Sequence, residues 1–151
     1  MVGIDLTRLV RARVEYVFDA CRSIDLHTRS MASRSERVVG GKTTGHLDLG
    51  ESVTWQARHF GLTWRMTAQV THYARPHMFV DEQTAGPFRT WRHAHFFHPG
   101  PDAAQTVMRD VIDFSSPAGF LGKAVAVLLL RPYLRRLIPR RNDVIVRAVE
   151  D

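Results

Sequence analysis

A chain of 151 residues falls in the commonest size range for one domain, and about 70% of its unfolded surface can be buried, enough for a core with a cavity in it. Hydrophobic residues at 44% and charged residues at 24% are the balance of a soluble globular protein, and a lone cysteine, Cys21, rules out an internal disulfide. The net charge of +6 comes from nineteen arginines and two lysines, scattered except for Arg131, Arg135, Arg136, Arg140 and Arg141. No recognition motif or exposed aromatic set accompanies that cluster, so nucleic acid is not an expected partner. No signal-peptide pattern opens the chain, and cytoplasmic residence is expected.

The first strand is expected over Ile4 to Arg11, where Leu6, Leu9 and Val10 alternate weakly. The period then changes. Val14, Val17, Phe18 and Cys21 recur at i, i+3, i+4 and i+7, one face of a short helix, and Ser23 is a plausible N-cap for a second over Ile24 to Met31. A strand over Glu36 to Thr44 is interrupted at Gly40-Gly41, which reads as a bulge or an exposed turn. In Glu51 to Phe60, Val53, Trp55, Ala57 and His59 share a face. Across the Gly61-Leu62 turn, Trp64, Met66, Ala68 and Val70 share a face of Thr63 to Tyr73.

The segment His77 to His98 reads as two strands joined at Gly86-Pro87. One face carries Phe79, Asp81 and Gln83, then Trp91, His93, His95 and Phe97. Large aromatics thus share a face with a carboxylate, an amide and two imidazoles, the mixture that a small-molecule pocket needs. The opposite face holds Glu82 and Arg92, and with Arg109 and Asp113 of the next strand they make a solvated charge ladder. That last strand, Gln105 to Ser115, turns Thr106, Met108, Asp110, Ile112 and Phe114 to one side.

Ser116-Pro117 ends the sheet, and a helical stripe of Phe120, Leu121, Ala124, Val125, Leu128 and Leu129 follows. About fourteen residues separate Ser116 from Arg131, and Lys123 lies among them, too short and too charged for a membrane span of roughly twenty. Pro132 and Pro139 are expected to kink or segment this helix. The expected class is α+β: a helix-grip arrangement in which a curved antiparallel sheet of six to seven strands wraps a long C-terminal helix, with two short helices after the first strand. One face of such a sheet needs cover, only the last helix can supply it, and the volume between them is the pocket.

The order of elements, the run FVDEQTAGPFRTWRHAHFF, the later TVMRDVIDFSSPAGFLG and the terminal arginine pair resemble the START-like, or SRPBCC, helix-grip superfamily, and within it the polyketide-cyclase/CoxG-type ligand-binding proteins. The residues that carry the likeness are Asp81, Gln83, Gly86, Pro87, Phe88, Trp91, His93, His95 and Phe97, with Thr106 and Asp110 in the last strand. Pro132 and Pro139 depart from that pattern. The resemblance implies a deep hydrophobic cavity between sheet and helix, but no particular activity, because fold alone is weak evidence of function.

The expected ligand contacts are Trp55, Trp64, Met66, Phe79, Asp81, Gln83, Trp91, His93, His95, Phe97, Met108 and Asp110 from the sheet, with Leu121 and Val125 from the helix. His93 and His95 with Asp81, Gln83 and Asp110 allow three readings: a metal site, an acid–base pair for cyclisation or dehydration, or a self-satisfied polar network that sets strand register. The network is preferred, and neither a metal nor a cofactor is expected. The protein is therefore expected to bind a small hydrophobic molecule without covalent chemistry, the alternative being a cyclase or dehydratase using His93, His95 and Asp110. Monomer and homodimer are both compatible with the sequence. Membrane contact through the arginine cluster is a subordinate alternative to its being a solvated helix face.

Overall fold

A computed structural model describes residues 1–151. Alternating side chains carry the chain into strand β1 (Val2–Val10), and the change to helical spacing yields α1 (Val14–Arg22) and α2 (Ile24–Ser30). Six strands joined in succession follow: β2 (Arg37–Gly41), β3 (Ser52–His59), β4 (Leu62–Ala74), β5 (Met78–Ala85), β6 (Thr90–Pro99) and β7 (Thr106–Ser115). All pairs are antiparallel, and the sheet runs β1-β7-β6-β5-β4-β3-β2, so β1 crosses over to pair with the last strand. The helix-grip architecture and both short helices are as the sequence indicates.

Curvature has identifiable sources. The β2–β3 register slips between Val38 and Gly40, and β4 slips against β5 at Thr67/Ala68 and again at Val70/His72. Such bulges bend a strand and increase its twist. Gly41 is needed at the first of them: its φ is +71°, and a Cβ there would collide with the Ser52 carbonyl. Ser23 caps α2 as its sequence position suggests, accepting a hydrogen bond from the Leu26 amide at 3.2 Å. Ser23→Ala is expected to cost about 1 kcal/mol, measured by urea unfolding.

The terminal helix begins as α3 (Gly119–Val125), widens into a π-helical turn over Ala126–Leu130, and continues as α4 (Arg131–Glu150). The expected segmentation falls one turn ahead of Pro132. A proline ring in a regular helix would clash with the carbonyl four residues back, and Pro132 also has no N–H to give it, so the preceding turn loosens. Pro139, in contrast, does not end the helix, which runs through it to Glu150. Gly122 lies where α3 leaves the sheet, so close to the Pro117 carbonyl that any Cβ would overlap it.

Two apolar clusters flank the space beneath the helix. In one, Ile112, Phe114 and Trp91 of the sheet meet Leu134, Leu137 and Ile138 of α4. In the other, Phe18 of α1 sits edge-on to Phe79, Phe97 and Tyr73 at 5.3–5.6 Å, closed by Met108 and Val146. No helix is long and apolar enough to cross a membrane.

The charge ladder on the outer face is arranged differently from the sequence expectation. Arg92 does stand opposite Glu82 and Asp113. Arg109, however, makes a two-pronged ion pair with Asp5 of β1 at 2.5 and 2.9 Å, because the crossover brings β1 alongside β7.

Candidate functional site

Between the two clusters lies a cavity of about 640 Å³, within the size range of small-molecule sites. Of its 39 lining residues 25 are hydrophobic, so most of a ligand's surface placed there would meet hydrocarbon or aromatic rings. Each predicted face of β3 and β4 reaches it complete: Val53, Trp55, Ala57 and His59 from one strand, Trp64, Met66, Ala68 and Val70 from the other. Phe79 and Asp81 of β5 and Trp91, His93 and His95 of β6 continue the wall, and Leu121 and Val125 of α3 close it.

Four expected contacts lie elsewhere. Gln83 bends back into its own hairpin, donating from Nε2 to the Phe88 carbonyl at 2.8 Å and accepting from the Phe88 amide at 3.2 Å. It therefore braces the Gly86-Pro87 turn. Phe97 and Met108 are consumed by packing around Phe18, where the inward turn of α1 fills that end of the sheet. Asp110 shares the inner face but sits behind the two imidazoles, fully buried, with no wall of its own.

Asp110 is instead the hub of a buried polar network. Its Oδ1 accepts from His93 Nε2 at 2.7 Å, with His95 Nδ1 at 3.3 Å and Arg141 Nη2 at 3.5 Å, while Oδ2 accepts from Asn142 Nδ2 at 2.8 Å. His95 also donates from Nε2 to Asp81 at 2.8 Å. The rings stack in order, Phe79 on His95 at 4.1 Å and His95 on His93 at 3.7 Å, with Trp91 edge-on to His93. Register explains the assembly: His95 stands opposite Phe79 on one side and Asp110 on the other, and His93 stands opposite Asp81.

The two imidazoles titrate in opposite directions. Burial, together with repulsion from His95, pushes His93 down to about 4. Burial opposes the charge on His95 as well, but hydrogen bonds to Asp110 and Asp81 outweigh it and raise its pKa. Asp110 is held well below the usual carboxylate range because its bonds to His93 and His95 overcome the cost of burial, and His95 does the same for Asp81. The resting network thus contains two carboxylates balanced by His95 and Arg141, with His93 neutral. An ionised Asp110 can only accept, so His93 carries its proton on Nε2 and turns an unprotonated Nδ1 to partners other than Asp110.

Sequence reasoning missed several polar residues of the wall. Arg141, expected on a solvated helix face, is 7% exposed and lines the cavity, because α4 turns it inward toward Asp110. His27 and Glu36 pair at 2.5 Å, with His27 stacked on Trp55 at 4.2 Å. His59 and Tyr133 bond at 2.6 Å across the sheet–helix gap. Burial beside Arg34 lowers the pKa of His59, and burial raises that of Tyr133, so the phenol donates to a neutral imidazole. The inward spacing of Trp55 and His59 on β3 was the one available signal for His59. Tyr133 and Arg141 are distant in sequence from His59 and Asp110, whereas Glu36 is nine residues from His27 but lies across the turn after α2. Cys21 also reaches the cavity, but burial and the nearby Asp110 charge push its thiol up to about 12, which leaves it without nucleophilic character.

Asp81, His93 and His95 could in principle present three ligand atoms to a metal, all within 4.8 Å of one another. Both nitrogens of His95 are already engaged by carboxylates, which suits a hydrogen-bonded network better than coordination.

No protein-family model and no curated protein matches the sequence. Solved structures do match in shape. The Zhui aromatase/cyclase from Streptomyces sp. R1128 aligns over 99% of this chain and 93% of its own with a TM-score of 0.77 at 15% identity. KanY protein aligns over 99% and 98% with a TM-score of 0.73 at 17% identity. Ginseng major latex-like protein 151 from Panax ginseng aligns over 99% and 98% with a TM-score of 0.71 at 8% identity. Identities this low carry the fold and nothing finer. With a seven-stranded sheet gripping a terminal helix over an apolar cavity, and with these structural neighbours, the chain has the helix-grip fold.

Proposed function

We propose that this protein binds a small hydrophobic molecule, of lipid, polyketide or aromatic character, in the cavity between sheet and terminal helix. One observation carries the reading: an apolar chamber of about 640 Å³ whose deep polar groups are neutralised by one another. A chamber balanced in this way favours an uncharged guest with one or two hydrogen-bonding groups, for which His93 Nδ1 and the Tyr133–His59 pair are the available partners. The naming of one structural neighbour as an aromatase/cyclase is consistent with such a guest. Cytoplasmic residence belongs to the same proposal and is supported by the free Cys21.

Ala68 offers the cleanest test. It is buried on the cavity wall, so Ala68→Trp would place an indole in the chamber itself. The uncharged environment-sensitive dye N-phenyl-1-naphthylamine should brighten with the wild type, and Ala68→Trp should weaken its binding by tenfold or more, on the order of 1.4 kcal/mol, with cooperative unfolding retained. Equal dye binding by both proteins would sink the cavity reading. Native mass spectrometry of protein from its own host would then identify a retained guest.

A second reading has a specific observation behind it. Neutral His93, oriented by Asp110 and carrying a free lone pair, is arranged as a general base for cyclisation or dehydration. Asp110 would act only through His93, not on the guest. His93→Gln separates the two readings: retained binding with lost turnover of a polyketide substrate supports catalysis, whereas unchanged turnover leaves binding alone.

A further inference from the structure

The cavity mouth is ringed by apolar side chains that the fold leaves uncovered. Phe60, Leu62 and Trp64 of the β3–β4 turn face Leu121, Val125 and Leu129 of the terminal helix, and all six both line the cavity and are exposed, Leu121 at 68% and Leu62 at 58%. Beyond them Phe120 and Leu128, members of the stripe expected to cover the sheet, point outward at 90% and 78% exposure. Isolated exposed hydrophobics are ordinary, but a contiguous set around an opening marks a contact surface.

Charge decides what kind of contact. No Asp or Glu occurs from Ser52 to Val80, nor from Phe114 to Asn142, the two stretches that build the rim. Both carry cations instead: exposed Arg58 and Arg65 on the hairpin, exposed Lys123 and half-buried Arg131 on the helix, and exposed Arg135 and Arg136 a turn further on. A second copy of the chain would bring two such cationic rims together, which like-charge repulsion disfavours. A surface that is anionic outside and hydrocarbon beneath complements both features at once.

We propose that the mouth docks on anionic lipid bilayers, Phe120 and Leu128 entering the acyl boundary while the flanking Arg and Lys side chains meet phosphate headgroups. In this pose the opening faces hydrocarbon, so an apolar molecule can pass between membrane and cavity without crossing water. The arginine cluster identified in the sequence takes part only through its exposed members, since Arg141 is turned inward. The docking surface stands independently of what the cavity holds.

The test uses the full chain and sedimenting vesicles of phosphatidylcholine alone or mixed with phosphatidylglycerol. Wild type is expected to bind the anionic vesicles about tenfold or more better than the neutral ones, with a blue shift of Trp fluorescence as Trp64 leaves water. Phe120→Ser combined with Leu128→Ser should reduce that binding about tenfold. Uptake of uncharged N-phenyl-1-naphthylamine by the cavity should persist, because both side chains are exposed and outside its wall. Absence of binding to anionic vesicles, or binding indifferent to the double substitution, overturns the proposal. So does a wild-type dimer in sedimentation equilibrium that the same substitutions dissociate, since the rim would then be covered by its own copy.

Discussion

Asp110→Asn is expected to destabilise the protein by about 3–5 kcal/mol, a large part of the roughly 5–15 kcal/mol that holds a domain together. The side chain keeps its shape but loses its charge. His95, Arg141 and Asn142 all converge on this carboxylate from within the interior, and its removal leaves two cations facing Asp81 alone. His95 would then release its Nδ1 proton, which relieves part of the penalty but turns Nδ1 into a buried acceptor in need of a donor. Urea unfolding at neutral pH measures the effect. A loss below about 1 kcal/mol would mean that the network is hydrated and energetically idle. Combining the change with His93→Gln should cost less than the two single changes added, because they remove the same bond.

The second large effect is a stability maximum near pH 6.5, with two limbs of different origin. His93 is neutral in the folded chain down to about 4, whereas the unfolded chain takes up a proton there below about 6.5. Its depressed pKa therefore gives stability that is present above 6.5 and is lost as pH falls toward 4, by about 3 kcal/mol in total. His59, also lowered by burial, adds to that limb. His95 has the opposite sign: its raised pKa gives stability fully present below 6.5 and lost as pH rises through the folded value. Asp81 and Asp110, both lowered, withdraw support as the pH falls through the ordinary carboxylate range, from about 5 downward. Thermal melts from pH 4 to 9 at constant ionic strength should be bell-shaped, and His93→Gln should flatten the acid limb, leaving the part due to His59. An acid limb of unchanged slope in His93→Gln would refute the assignment.

Local periodicity made most of the architecture legible. Alternation in β3 and β4 placed eight inward side chains correctly, because a strand's faces follow from its pleat whatever the rest of the chain does. The aromatic–imidazole face of β5 and β6 was equally plain. What alternation cannot give is depth along a face: Phe97 and His95 point the same way, yet α1 arrives over Phe97 while His95 is left to the cavity. In the same manner the helical stripe was visible, but not that Phe120 of α3 and Leu128 of the π-helical turn are left bare.

The sequence by itself determined the order of elements, the inward face of each central strand and the presence of carboxylates and imidazoles among aromatics, all consequences of spacing within one segment. Tertiary structure alone decided that Arg141 turns in to face Asp110, that Tyr133 reaches His59 and that Glu36 reaches His27. The π-helical turn before Pro132 and the bulges in β2 and β4 set the rotation and curvature that bring these partners together. A pairing between residues seventy positions apart depends on how two surfaces bend toward each other, and no local pattern encodes that bend.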